Sequence, residues 1–162
     1  MKFSSTGEYI YKLQSICYVA LLFPLIAFTW VRFTPVAMPI DEKWRNYTSD
    51  LLNILLCFLP MVILTSVHLW VRRRLITLRQ QPTMDERLEG YANMLFIKMG
   101  IAVMLALAFL IGDLMLFSDL FLIVFFLLLL YIAIQRPSKE RVASALQLKG
   151  AERELMLRGK LD

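Results

Sequence analysis

Cysteine and histidine are scarce in this sequence of 162 residues, which has two cysteines and one histidine. Cys17 and Cys57 both lie within apolar runs and form no CxxC pair, so the sequence has neither a disulfide framework nor a zinc-binding pattern. Because His68 is the only histidine, a haem held by two histidines is excluded. We therefore expect no metal, haem or other cofactor.

Charged residues are also few. They make up 19% of the chain, whereas 59% of the residues are hydrophobic, and soluble domains contain about 45–50% apolar residues. A folded chain of this length still exposes much of its surface to solvent, so a soluble domain has no room for so many apolar side chains. This composition is typical of an integral membrane protein whose main partner is the lipid bilayer.

Four apolar runs approach the length of a membrane-spanning helix, which needs about 20 residues. They cover residues 13–33, 51–71, 94–116 and 120–134, the last run being short. No strand-like alternation accompanies them, and a bilayer interior admits only helices or closed barrels. The sequence therefore predicts an all-α integral membrane protein. Residues 1–135 form a four-transmembrane-helix bundle, and residues 136–162 form a cytoplasmic amphipathic C-terminal helix.

The lysines and arginines are distributed unevenly about these runs. Short loops on the cytoplasmic side of a membrane carry more of these residues than loops on the other side. Fourteen of the eighteen lie in the N-terminal segment, in the connection over residues 72–93 and in the C-terminal tail, whereas the opposite side has only Arg32, Lys43 and Arg45. The sequence thus predicts an inner-membrane protein whose two termini and Arg72–Arg74 run are cytoplasmic.

Two prolines lie near the middle of the first and second predicted helices. Because these helices are antiparallel, Pro24 and Pro60 are expected at a similar depth. Proline removes one backbone hydrogen bond and kinks a helix, so paired kinks can open a mid-membrane cavity. Proline is also frequent in transmembrane helices, and an effect on packing alone is the favoured interpretation.

Cys17, His68 and Lys98 are the polar or reactive residues expected near the cytoplasmic ends of the predicted helices. A Cys–His pair can act as a nucleophile and base or as two ligands of a metal, but no third group completes either arrangement. A hydrogen bond from His68 to a neighbouring helix or headgroup is therefore favoured. Lys98 is expected to extend its side chain to the cytoplasmic headgroups.

Asp113, Asp119 and Asn53 are expected near the opposite ends of these helices, where they can form a small polar cluster. The two carboxylates flank the short turn between the third and fourth helices, a spacing compatible with an acid–base pair. Asp119 is also a suitable N-cap for the fourth helix. Capping and placement at the membrane interface are the favoured roles.

The third predicted helix carries a stripe of small residues. Gly100, Ala108 and Gly112 lie on one face, and Ala102 and Ala106 lie on a neighbouring face. Small residues allow transmembrane helices to approach closely. We therefore expect the third helix to be the central packing helix, either within the bundle or at a contact between subunits.

The C-terminal tail begins with a helix signature, in which Pro137 ends the last span and Ser138 can cap a new helix. We expect this helix to lie on the inner leaflet or to pack on the arginine-rich connection or a partner, with a bend at Gly150. Glu140, Glu152 and Glu154 make the tail a mixed surface rather than a basic arm. Nucleic acid is therefore not an expected partner.

Because the sequence has no evident catalytic constellation, the favoured function is that of a non-enzymatic integral membrane protein acting through association. It would be a homo-oligomer or a small subunit of a membrane complex. A transporter or channel component, with its cavity at Pro24 and Pro60, is the first alternative. The second is a membrane-embedded enzyme acting on lipid or quinone through Asp113 with Asp119, or through His68.

Overall fold

A computed structural model of the chain describes residues 6–34, 50–116 and 119–158. The helices in these ranges are α1 (Thr6–Phe33), α2 (Asp50–Arg79), α3 (Met84–Leu116), α4 (Asp119–Ile134), α5 (Lys139–Ala145) and α6 (Ala151–Arg158). The described residues contain no strand. The prediction of an all-α chain is therefore confirmed.

Three helices, α1, α2 and α3, are long and apolar enough to cross a membrane. With 16 residues, α4 is about 24 Å long, which is less than a hydrocarbon core of about 30 Å. It counts as a fourth span only together with α5, to which it is joined at a bend of 86°. Three helices of spanning length, or four if α4 and α5 form one span, are compatible with a multi-pass membrane protein.

The helices extend beyond the apolar runs from which they were predicted. α2 continues through Arg72–Arg74 to Arg79, and α3 begins at Met84. The segment predicted as a basic connection over residues 72–93 is therefore a helical hairpin with a turn of four residues. Apolarity marks only the part of a helix that lipid can cover, whereas arginine is a good helix former and continues the same helix into water.

α3 is the central helix of the bundle. It packs against α1, α2 and α4. In its most apolar 18-residue window 44% of the residues are buried, compared with 17% in α1 and in α2. Ala102 and Ala106 are completely buried in these contacts, since alanine allows neighbouring helices to approach.

The small residues of the predicted stripe on α3 differ in their surroundings. A Cβ at Gly112 would lie 2.7 Å from the ring of Phe121 on α4, whereas a Cβ at Gly100 would have no neighbour within 4 Å. Ala108 is exposed. Gly100 and Ala108 therefore make no close helix contact inside the bundle, because the spacing of small residues does not show which way their face turns. A role for Gly100 and Ala108 in a helix contact between subunits stays a prediction.

The C-terminal tail forms two short helices instead of one long helix. Ser138 caps α5 by accepting a hydrogen bond from the backbone amide of Arg141. Gln147 and Gly150 both have positive φ angles, 53° and 54°. This left-handed conformation interrupts the helix, so α5 and α6 take different directions.

The apolar face of the tail is covered by the protein itself. Val142, Leu146, Leu148 and Met156 are all at least 95% buried in a cluster with Tyr9 and other residues of α1 and α3. The tail therefore packs on the hairpin and on α1, in agreement with the expected alternative of packing on the arginine-rich connection, and its placement on the inner leaflet stays a prediction. Sequence periodicity identified an apolar face without identifying its partner.

Candidate functional site

The outer face of α2 carries an exposed stripe with the spacing of a helix–helix contact. Its residues follow one another at alternating intervals of four and three: Ile54, Phe58, Met61, Thr65, His68 and Arg72. All of them are exposed in the single chain, as are the neighbouring residues Leu55, Leu59, Val62, Ser66 and Leu69, and the stripe is distinguished from these neighbours by His68. This interval keeps side chains on one side of a helix, as in the contact seam of paired helices. We refer to these six residues as the α2 seam.

Two polar residues interrupt the apolar part of the α2 seam. The hydroxyl of Thr65 donates a hydrogen bond to the carbonyl oxygen of Met61 at 2.7 Å, which leaves its oxygen able to accept another bond. The imidazole of His68 is exposed and has no hydrogen-bond partner among the described residues. A polar side chain that faces lipid is costly unless it finds a partner, so this surface suits contact with another helix.

Cys17 and His68 do not lie together in the structure. Cys17 is buried between α1 and α3 in the cluster that contains Leu13 and Met99, whereas His68 is exposed on α2. The pair considered as a nucleophile or as metal ligands is therefore not formed. Similar depth in a membrane does not determine the direction in which two helices turn their side chains.

Lys98 is a buried cation rather than the headgroup-reaching side chain that the sequence suggested. The residue is 8% exposed. Its ammonium group donates a hydrogen bond to Oε1 of Gln135 at 2.8 Å and lies 5.6 Å from the ring centre of Tyr131. A signal for this burial was present in the sequence, because Lys98 precedes the buried Ala102 and Ala106 at intervals of four residues.

Asp113 is paired with Arg32 and not with Asp119. Nη2 of Arg32 lies 3.1 Å from Oδ2 of Asp113, and Asp113 is 6% exposed. Asp119 is exposed at the start of α4. The buried carboxylate is thus compensated by α1, and this ion pair joins two helices. Sequence reasoning missed this role because it treated Arg32 only as a cation beside a loop.

Asn53 is also buried, at 9% exposure. Its Oδ1 atom has no hydrogen-bond partner within the described part of the chain. Because α2 and α3 form a hairpin, Asn53 lies toward the same end of the bundle as Arg32 and Asp113. Among the described contacts of the predicted cluster, the bond that joins two helices is the one that Asp113 accepts from Arg32, a residue outside that cluster.

Pro24 and Pro60 are both buried. α1 and α2 each continue as a single helix through its proline. Neither proline lines the two apolar grooves that open beside α3. The predicted mid-membrane cavity at the proline level therefore gains no support from these grooves.

No family model matches the chain, and no curated protein or solved structure matches it either. Within residues 6–34, 50–116 and 119–158, no three histidine, cysteine, aspartate or glutamate side chains are grouped as a metal site would require. The chain's own surfaces and contacts are therefore the basis for a functional interpretation.

Proposed function

We propose that this chain is a non-enzymatic integral protein of the inner membrane that acts by association with a second copy of itself. The observation that carries the proposal is the α2 seam, an exposed stripe of three apolar and three polar residues that includes His68, whose imidazole has no hydrogen-bond partner among the described residues. Lipid tails cover an apolar stripe well but offer an imidazole no hydrogen-bond partner. A neighbouring helix offers one.

A second copy suits this seam for a specific reason. Two copies related by a two-fold axis along the membrane normal place their α2 helices in parallel, with the same residues at the same depth. A neutral imidazole has one donor and one acceptor nitrogen, so the two His68 rings can bond to each other or to the Thr65 oxygens. The apolar Phe58 and Met61 side chains complete the contact. Alternatively, the α2 seam contacts a different subunit of a larger membrane complex.

The proposed orientation places both chain termini and Arg72–Arg74 in the cytoplasm, in accordance with the distribution of positive charge. Two contacts support a common side for the hairpin and the tail. Nε of Arg79 donates to the carbonyl oxygen of Ala145 at 3.0 Å, and Nη1 of Arg87 lies 3.3 Å from Oε2 of Glu152. The basic residues of these segments therefore act together in orienting the chain.

Single-cysteine labelling tests the orientation. In a Cys17→Ala/Cys57→Ala background, Thr34→Cys should react with a thiol reagent that cannot cross the inner membrane of intact cells. Gln80→Cys, which is exposed in the turn of the hairpin, should react only after the membrane is opened. The reverse pattern would show that the orientation is inverted.

The oligomeric state in mild detergent, measured by light scattering coupled to size-exclusion chromatography, tests association. We expect the wild type to be a dimer and His68→Leu and Phe58→Ala to shift it toward single copies. Ser66→Ala and Leu59→Ala are the matched controls, since both residues are exposed on α2 outside the seam, and they should leave the dimer intact. A wild type that is a single copy, or equal effects in both groups, would contradict self-association through this seam.

A further inference from the structure

Two apolar grooves lie side by side on the face of α3 that α1 and α2 leave open. One lies between α1 and α3 and has a volume of about 360 Å³, and the other lies between α2 and α3 and has a volume of about 440 Å³. Phe96 and Gly100 line both of them. The two grooves therefore adjoin along this part of α3, where Gly100 has no side chain to fill the surface.

The groove between α2 and α3 leads to a polar rim. A smaller pocket of about 180 Å³ is lined by Trp70, Arg74, Asn93 and Ile97, among other residues. Ile97 also lines the apolar groove, so the two spaces adjoin. The apolar groove therefore borders a pocket that carries a guanidinium group, an indole and an amide, at the end of the bundle that holds the arginine run.

The guanidinium of Arg74 is available for an external ligand. It is exposed and has no acceptor among the described residues, whereas Arg79 and Arg87 both bond to the tail. No acidic residue lines the rim. Glu89, one turn before Asn93, lies outside the lining and takes part in an interaction of its own.

The chemistry of the rim is complementary to a phosphate group. A guanidinium group binds phosphate oxygens through two parallel hydrogen bonds, and the Asn93 amide adds further donors. Tryptophan is enriched at the headgroup level of membranes, which is where Trp70 would place the rim. Any acyl chain can fill an apolar groove in a bilayer, so the positive rim is the part that distinguishes one lipid from another.

We propose that the rim and the adjoining grooves bind one anionic phospholipid of the cytoplasmic leaflet. The phosphate lies on Arg74 and Asn93, and one acyl chain occupies the groove between α2 and α3. The second chain crosses Gly100 into the groove between α1 and α3. Anionic lipids are concentrated in the cytoplasmic leaflet. This proposal rests on the proposed membrane location and orientation, but not on self-association.

The test is native mass spectrometry of the detergent-solubilised protein with added dioleoyl phosphatidylglycerol. We expect the wild type to retain one such lipid in preference to dioleoyl phosphatidylcholine. Arg74→Gln should lower retention of the anionic lipid about tenfold, as expected for loss of a charged hydrogen bond. Arg73→Gln removes the same charge from a neighbouring exposed residue that does not line the rim, and should change retention little. Equal losses in both variants would show only diffuse attraction and would overturn the site.

A second pair of variants tests the grooves. Gly100→Leu places a side chain where the two grooves meet, in a position with no neighbour to displace. It should lower retention of both lipids, whereas Ala108→Leu, exposed on the same helix and outside the two grooves, should not. Unchanged retention in Gly100→Leu would contradict the acyl-chain position. If inorganic phosphate alone displaced the retained phosphatidylglycerol, the rim would be an anion-binding site rather than a lipid-binding site.

Failure of this proposal can be separated from failure of the proposed function. If alkaline carbonate removes the wild type from membranes, the membrane location itself is wrong. If the protein stays in the membrane with its cytoplasmic labelling pattern, while Arg74→Gln and Arg73→Gln retain equal amounts of phosphatidylglycerol, only the lipid site is wrong.

Discussion

The ammonium group of Lys98 donates a hydrogen bond to Oε1 of Gln135 at 2.8 Å, and so joins the middle of α3 to the residue that follows α4. Neither Gln135 nor the nearby ring of Tyr131 carries a charge at neutral pH. The buried cation is therefore held by dipoles and by a ring face. Next to this bond, the amide of Gln14 donates to the carbonyl oxygen of Pro137 at 3.2 Å, so α1 and α3 both hold the bend between α4 and α5.

We predict that Gln135→Leu lowers the free energy of unfolding by about 1–3 kcal/mol, because it removes the acceptor of a buried donor. The double variant that combines Gln135→Leu with Lys98→Met should recover much of this loss. An apolar pair of similar size then replaces the buried ammonium group that has lost its acceptor. Denaturant unfolding in detergent measures both effects. A double variant no more stable than Gln135→Leu would show that the Lys98 charge is not the cause.

Gly112 and Gly100 should respond in opposite ways to the same substitution. Gly112→Ala places a methyl group against the ring of Phe121 and should destabilise the hairpin of α3 and α4 by about 1–3 kcal/mol. Gly100→Ala meets open space and should raise helix stability by up to about 1 kcal/mol, because alanine is the better helix former. The melting temperatures of the two variants and of the wild type, measured in the same detergent, test this prediction. A loss of stability in Gly100→Ala alone would mean that this face is covered.

The Arg32–Asp113 pair should be asymmetric. Asp113 is the buried partner, with a side chain 7% exposed, whereas that of Arg32 is 47% exposed. Arg32→Gln should therefore cost more than Asp113→Asn, since it leaves a buried carboxylate without compensation, a loss of about 1–3 kcal/mol. A double-mutant cycle measures their coupling, expected at about 0.5–3 kcal/mol. Additive single effects would indicate that the pair does not hold α1 to α3.

The tail contact can be examined with two neighbouring residues. Met156 is completely buried, whereas Leu157 is 41% exposed. Met156→Ala should destabilise the protein by about 2–5 kcal/mol through lost packing and make the tail more sensitive to limited proteolysis. Leu157→Ala should do neither. If the two variants behave alike, the tail is not packed on α1 and α3 as described.

Several features of the fold were predictable because they depend on local composition. The apolar runs predicted the three long helices, and Ser138 correctly marked the start of α5. The end of α2 at Arg79 and the start of α3 at Met84 did not follow from hydropathy, because arginine and glutamate continue a helix as readily as leucine does and so leave no boundary there.

The candidate site was less predictable. His68 was singled out from the sequence, but its place in an exposed seam depends on which side of α2 the bundle covers. Arg74 was recognised only as part of a charge run. Its position in one pocket with Trp70 and Asn93 depends on the packing of α2 against α3, which approach closely at Gly90, where a Cβ would overlap Leu78.

The sequence by itself determined that this chain is helical, that it has three or four segments suited to a bilayer, and that its positive charge is concentrated in particular segments. Length, hydropathy and charge are properties of a segment alone. Only the tertiary structure decided that Lys98 is buried, that Arg32 meets Asp113 and that the tail covers Tyr9. Each residue turns a helix by about 100°, so the neighbour that a side chain meets is decided by the rotation of whole helices against one another. That rotation depends on the packing of all of them together.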